Sequence, residues 1–301
     1  MKEINELFKK LGLTVKKIGY KNGNRLVTTD DGDYVIKENK ESNVYDYLDS
    51  RGFDNYSSLI EKNNKYRIFK YEKDNVHSSD KAIDMIYLLS MLHIKTTTYR
   101  EVDLDKVKEF YESSIDEIEY LNTYYHKLQD YAENKIYMSP CEYLFIRNAS
   151  SIYQMLNFSR NYLEKWYNIK ISDKKERVVL INNNLKLTNF VEYDKDKFLN
   201  WDHSRKDWVS YDFYNFYMNN YLELEMSSLF EIYQSKYKYT KDEELLLYTL
   251  LCKLWKVDFM GSNYENTVKV SNLVTYVQKT LSFISKQNKE NKETYEKKFT
   301  Q

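Results

Sequence analysis

Residues 180–189 read Leu-Ile-Asn-Asn-Asn-Leu-Lys-Leu-Thr-Asn and carry the most distinctive spacing in the chain. An apolar strand end runs into a polar loop with asparagine at positions 182–184, and Asn189 follows five residues after the last of these. Further along the chain, residues 197–202 read Lys-Phe-Leu-Asn-Trp-Asp. Polar side chains that follow strand ends are typical of functional loops, so these two segments are candidates for a functional site.

The residues before position 72 predict a small antiparallel sheet with two helices. Alternating apolar residues and turn dipeptides indicate hairpin-linked strands, whereas apolar residues three or four apart indicate helices. The predicted order is a helix at 3–11, strands at 15–20, 25–29 and 34–37, a helix at 38–51, and strands at 57–61 and 66–71.

Beyond residue 72 the chain is dominated by long amphipathic helical patterns, with little strand signal until residue 178. A short β island spans about 177–201. The predicted helices lie at 81–94, 104–131, 140–167, 211–234, 241–255 and 268–286. We therefore predict a two-lobed α+β fold, with a sheet-containing N-lobe at 1–72 and a larger, mostly helical C-lobe at 73–301.

Charge and cysteine content exclude several functional classes. The 46 basic and 46 acidic side chains cancel, which argues against a nucleic-acid or anionic-membrane partner. Cys141 and Cys252 are too few and too far apart for a metal cluster or a disulfide framework. No segment has the pattern of a signal peptide or a membrane span, so we expect a protein of the reducing cytoplasm.

The loop at 180–189 resembles the catalytic loop of the protein-kinase-like superfamily, in which His-Gly-Asp or His-Arg-Asp is followed by Leu, three variable residues and a metal-binding Asn. By this resemblance Asn184 stands where the family keeps the aspartate that takes the proton of the attacking hydroxyl. Asn189 matches the Mg²⁺-binding asparagine, and Lys186 matches the lysine near the transferred phosphoryl group. The group that it resembles is that of the aminoglycoside phosphotransferases and choline kinases, and spore-coat kinase-like proteins of bacteria are a plausible neighbour.

The family next places a metal-binding aspartate at the end of a short hairpin, and two alignments of residues 197–202 meet that requirement. One puts Asn200 at the metal position, because Asp212 then lies 12 residues on, where the group carries another aspartate at a helix start. The other is shifted by two residues and makes Asp202 the ligand, which the hairpin length does not exclude. We favour the Asn200 alignment and keep the Asp202 alignment as the alternative.

The front of the chain agrees with the resemblance. Residues 34–37, Tyr-Val-Ile-Lys, are similar to the strand whose lysine holds the α and β phosphates, which makes Lys37 a nucleotide-binding candidate and Glu41 its helix partner. Taken alone, a lysine at a strand end is more often an ordinary exposed residue. The segment 88–97 resembles the helix of these kinases that ends in Leu-x-x-Leu-His, so the resemblance covers about residues 13–215 in order.

The departures from the family pattern change the expected function. An amide neither takes up a proton nor carries charge, so Asn184 cannot be the general base, whose contribution is typically about 10²–10⁴ in rate. With Asn200 at the metal position, the site also lacks the carboxylate that Mg²⁺ prefers. We expect a kinase-like pseudo-enzyme with a binding, structural or regulatory role. ATP is the ligand that the resemblance implies, Mg²⁺ binding should be weak, and the further partner is a small molecule or a protein.

The alternative is an active ATP-dependent phosphotransferase that acts on the hydroxyl group of a small molecule. It would use Asp202 for Mg²⁺ and Lys186 for the transferred phosphoryl group, and substrate positioning would compensate for the missing base.

Overall fold

The structure is a computed structural model that describes residues 2–21, 24–39, 43–72, 74, 80–192 and 195–299. The helices are α1 (Lys2–Lys10), α2 (Val44–Ser50), α3 (Lys81–Thr96), α4 (Leu104–Glu133), α5 (Pro140–Ser172), α6 (Ser210–Asn220), α7 (Met226–Lys236), α8 (Lys241–Leu251) and α9 (Asn263–Phe299). The strands are β1 (Val15–Lys21), β2 (Asn24–Thr29), β3 (Asp33–Glu38), β4 (Leu59–Lys62), β5 (Tyr66–Lys70), β6 (Thr98–Glu101), β7 (Lys175–Ile181), β8 (Phe190–Val191), β9 (Lys197–Phe198) and β10 (Arg205–Asp207).

The chain divides into two compact units, of which the first comprises residues 1–96 and 182–205 and the second residues 97–181 and 206–301. The predicted α+β class, with an antiparallel N-terminal sheet and a larger helical part, is confirmed. The predicted lobe boundary at residues 72 and 73 stays a prediction.

The first unit is built on a five-stranded antiparallel sheet in the order β1-β2-β3-β5-β4. Successive side chains of a strand point to opposite faces. On one face Tyr34 and Ile36 pack against Ile4 and Phe8 of α1, and their burial forms the core of this unit. Lys37 follows Ile36 on β3, so its side chain points to the other face of the sheet.

A short hairpin, β8–β9, is attached to the same unit through backbone contacts. Phe190 pairs with Phe198 within the hairpin. The Phe198 N–H donates to the carbonyl oxygen of Asn55 at 3.0 Å, and the Trp201 indole donates to the Phe198 carbonyl oxygen at 3.0 Å. Phe198 and Trp201 are both fully buried, so the residues that follow β9 are held in a defined position.

The second unit is mainly helical, and its core is formed by apolar residues of α4, α5 and α8 with β7. A three-stranded sheet in the order β10-β7-β6 lies in this unit, with β10 beginning at Arg205, the last residue of the first unit. The helices within the described ranges include none that is long and apolar enough to cross a bilayer.

Three sequence-based expectations about individual elements were wrong. Strand β6, only four residues long, was not predicted, and it forms by antiparallel pairing with β7. Helix α2 begins at Val44 rather than near residue 38, because β3 continues to Glu38, which pairs with Tyr66. The helix predicted at 211–234 is two helices, since the Glu225 carboxylate caps a new helix by accepting from the Ser228 N–H at 2.8 Å.

Candidate functional site

A cleft of about 340 Å³ lies within the first unit, on the sheet face that carries Lys37. Its apolar wall comes from three cross-strand neighbours, because Leu26 pairs with Val35 and Val35 pairs with Phe69. The buried residues Phe198 and Trp201 of the hairpin region also line the cleft. The cleft thus combines an apolar slot with a small set of polar groups, as ligand sites commonly do.

Lys37 forms the cationic end of this cleft. It lies two residues after Val35 on β3, so the two side chains share one face of the sheet. Its ammonium group donates to the Asn200 side-chain oxygen, and it lies 3.3 Å from Asp202 Oδ2. The Lys37 side chain is only 14% exposed, so it is not an ordinary surface lysine.

A chain of amide hydrogen bonds joins the two segments that the sequence singled out. Asn200 Nδ2 donates to Asn189 Oδ1 at 2.6 Å, and Asn189 Nδ2 donates to the Asn184 carbonyl oxygen at 3.0 Å. The Asn184 N–H in turn donates to Asn182 Oδ1 at 3.2 Å. Together with Lys37, the predicted residues Asn184, Asn189 and Asn200 therefore form one continuous hydrogen-bonded group.

Two asparagines of these segments adopt an unusual backbone conformation. Asn183 has φ of 56° and Asn200 has φ of 58°, in the left-handed region that asparagine and aspartate tolerate better than other non-glycine residues. Aspartate would fit this backbone as well as asparagine does. The amide at position 200 is therefore not demanded by the local conformation.

Asp202 lies between two cations that face each other across neighbouring strands. Arg67 on β5 pairs directly with Lys37 on β3, an arrangement in which like charges repel. The Asp202 carboxylate accepts from Arg67 Nη2 at 2.5 Å with one oxygen and from Lys37 at 3.3 Å with the other. Burial alone would raise the pKa of the Asp202 carboxyl, but the Lys37 and Arg67 charges outweigh it and hold the pKa below its usual value.

The donors at this site do not fit a Mg²⁺ ion in the arrangement that they adopt. Mg²⁺ needs oxygen ligands, preferably anionic, in near-octahedral geometry. The side-chain oxygens of Asn189 and Asn200 each accept a hydrogen bond, and both Asp202 oxygens are held by cations. The ranges that the structure describes contain no cluster of three or more His, Cys, Asp or Glu residues suited to a metal. The metal roles assigned to Asn189, Asn200 and Asp202 stay predictions.

Two other predicted residues are not part of this group. The Lys186 side chain is exposed and forms no ion pair with any described residue, although its N–H donates to the Asn184 carbonyl oxygen at 3.1 Å. Glu41 lies outside the described residues. Conversely, sequence reasoning missed Arg67, because a single arginine in a strand gives no signal until the register that places it beside Lys37 is known.

Comparison with known proteins gives matches by structure only. No protein-family model matches the chain, and no curated protein matches it by sequence. An aminoglycoside phosphotransferase from Alicyclobacillus acidocaldarius superposes with a TM-score of 0.65 at 9% identity, over 93% of each chain. Spectinomycin phosphotransferase in its AMP-bound complex gives 0.55 at 11% identity, over 93% of this chain and 98% of that one.

Spectinomycin phosphotransferase in complex with ADP and spectinomycin gives a TM-score of 0.53, also at 11% identity. At such identities the likeness is one of fold, and it extends over nearly the whole of each chain. The chain therefore has the protein-kinase-like fold of the aminoglycoside phosphotransferases.

Proposed function

We propose that this chain is a nucleotide-binding, catalytically impaired kinase-like protein with a binding or regulatory role. The observation that carries the proposal is the set of side chains around Lys37. Asn184 and, in the favoured alignment, Asn200 stand where the family that the chain resembles keeps carboxylates, and both are amides, while the carboxylate of Asp202 is paired with two cations.

The shape and chemistry of the cleft support nucleotide binding. A volume of about 340 Å³ with an apolar wall suits a planar base, and Lys37 at one end suits a phosphate. The spectinomycin phosphotransferase structures of the same fold hold ADP in one case and AMP in another. Nucleotide binding requires neither of the missing carboxylates, since a lysine and backbone or amide donors bind phosphate directly.

The chemistry of the amides supports impaired catalysis. Phosphoryl transfer depends on positioning and on neutralisation of the charge that develops on the phosphoryl oxygens. An amide at position 184 accepts no proton, and an amide at position 200 adds no negative charge to hold a metal. Both losses act on the transfer step, so binding is expected to persist where turnover does not.

The proposal is tested by titrating fluorescently labelled ADP against wild type and two cleft variants. Val35→Trp fills the apolar slot and Lys37→Met removes the cation, so each should weaken binding at least tenfold without changing the melting temperature much. Lys65→Met removes a cation whose side chain is 67% exposed and serves as the matched control. Wild-type affinity in Val35→Trp would show that this cleft is not the binding site.

One observation favours the second candidate, an active small-molecule phosphotransferase. The Asp202 carboxylate lies 3.3 Å from Lys37, and a small movement away from Arg67 would offer a metal ligand. This candidate predicts Mg²⁺-dependent ATP turnover that Asp202→Asn abolishes. Such a result would overturn the pseudo-enzyme proposal, whereas background turnover in both proteins supports it.

We further propose a location in a reducing cytoplasm. Cys141 and Cys252 are both buried and free, which suits a chain that does not rely on disulfides.

A further inference from the structure

Arg67 is buried to a degree that is unusual for a charged side chain. It is 3% exposed, and besides Asp202 its Nη2 donates to the Glu38 carbonyl oxygen at 3.3 Å. Its Nε has no hydrogen-bond acceptor among the described residues. Because a guanidinium remains charged at any physiological pH, removing its counter-ion would be strongly destabilising. Asp202 is therefore committed to Arg67 as the counter-ion of a buried cation.

This commitment leaves the cleft with an excess of positive charge. Asp202 is closer to Arg67, at 2.5 Å, than to Lys37, at 3.3 Å, so its charge is shared unequally between the two. The other nearby positions of the catalytic-type loop and hairpin, Asn184, Asn189 and Asn200, are neutral amides. Around Lys37, two cations thus stand against one carboxylate, and their low exposure strengthens the charge interactions. The cleft is also lined by Arg25, Lys70, Glu72 and Asp74, and these two carboxylates are paired with Lys197 and Lys81.

Such a charge balance distinguishes a free nucleotide from its magnesium complex. A nucleoside diphosphate or triphosphate without metal carries its full negative charge, and Mg²⁺ cancels two units of it. The site attracts the free form more strongly, and among the described residues the carboxylates at or near the cleft, Glu72, Asp74 and Asp202, are each paired with a cation rather than available to hold the ion. In a site with an available carboxylate, the order of affinities would be the reverse.

We infer that Arg67 makes this cleft selective for the metal-free polyphosphate of a nucleotide, by withholding Asp202 from Mg²⁺ and by adding positive charge. The inference rests on the proposed nucleotide binding and extends it to the ionic form of the ligand. Arg67 acts through Asp202 and is thus a positioning residue.

The experiment measures the dissociation constant of ADP by calorimetry in EDTA and in excess Mg²⁺, for wild type and Arg67→Met. Wild type should bind ADP about threefold to tenfold more tightly in EDTA than in Mg²⁺. Arg67→Met removes one cation and releases Asp202, so its affinity in EDTA should fall about tenfold and Mg²⁺ should now strengthen binding. Lys65→Met, which removes an exposed cation, should behave as wild type does.

Two further variants keep the test informative if Arg67→Met folds poorly. Arg67→Lys keeps the charge and should preserve the wild-type order of affinities. Arg67→Met/Asp202→Asn removes one charge of each sign, so it should bind ADP in EDTA within about threefold of wild type and gain nothing from Mg²⁺.

The outcomes separate this inference from the proposed function. Absence of ADP binding to wild type in either buffer would overturn the proposed function, and the inference with it. Wild-type binding that Mg²⁺ strengthens, or an Mg²⁺ response that is the same in wild type and Arg67→Met, would overturn the inference alone. A gain from Mg²⁺ in the double variant would show that Asp202 is not the group that Arg67 withholds.

Discussion

Replacing Asp202 by asparagine should destabilise the protein through a buried cation rather than through lost packing. The change is nearly isosteric, but it leaves Arg67, 3% exposed, without the carboxylate that lies 2.5 Å from its Nη2. Breaking a buried pair by removing one partner typically costs 3–5 kcal/mol. Since Asp202 is 19% exposed, we expect a value near the lower end, about 3 kcal/mol, or a fall in Tm of roughly 6–9 °C.

The assay is thermal unfolding of wild type, Asp202→Asn, Arg67→Met and the double variant, treated as a double-mutant cycle. The double variant buries neither charge, so it should return to within about 1 kcal/mol of wild type. Asp54→Asn is the matched control, because it breaks an ion pair with Lys195 in which both side chains are exposed. An exposed pair should cost less than about 1 kcal/mol.

The pH dependence of the same comparison has a defined sign. The pKa of Asp202 is lowered in the folded protein, so its stabilising contribution is complete above the unfolded value, near 3.9, and disappears as pH falls through the folded value. The gap in Tm between wild type and Asp202→Asn should therefore be widest at neutral pH and shrink below about pH 4. A loss of less than about 1 kcal/mol in Asp202→Asn at pH 7, or a double variant no more stable than Asp202→Asn, would show that Asp202 is not the essential counter-ion of Arg67.

Three other variants test the core of the first unit, the helix cap at Glu225 and the amide at position 200. Phe8→Ala should cost about 3–5 kcal/mol in chemical or thermal unfolding, because Phe8 is fully buried in the core between α1 and the sheet. Burial raises the pKa of Glu225, but the Lys286 charge and the Ser228 N–H outweigh burial and lower this pKa to about 2. Glu225→Gln should thus cost at most about 1 kcal/mol at pH 7, given the exposed pair, and this cost should diminish as pH falls toward 2. Asn200→Asp should fold, since its φ of 58° suits aspartate, and should make ADP binding stronger in Mg²⁺ than in EDTA.

The sequence predicts most of what positions the site. Alternating apolar residues and turn dipeptides identify β1, β2 and β3, and hence the strand that carries Lys37. The spacing within residues 180–189 and the following hairpin identify Asn184, Asn189 and Asn200, which the structure brings into one hydrogen-bonded group. Local patterns and ordered motifs suffice for these features, because each is a property of a short segment.

The remaining features depend on pairing between distant segments. Arg67 belongs to the site only because β5 pairs with β3 in the register that sets it opposite Lys37, and register is not readable from either strand alone. The same reason accounts for β6, which has only four residues and forms by pairing with β7. Both Asn200 and Asp202 contact Lys37, and the assignment of the metal position to one of them stays a prediction.

Nucleotide binding in the cleft without reliance on a metal can be measured through the melting temperature of the wild-type protein with millimolar ATP in EDTA and in Mg²⁺. A ligand that binds only the folded state must raise Tm. At a concentration 100 times its Kd, it increases the free energy of unfolding by about 2.7 kcal/mol. We expect a rise in Tm in EDTA that is at least as large as the rise in Mg²⁺. A rise that appears only with Mg²⁺, or none in either buffer, would contradict this expectation.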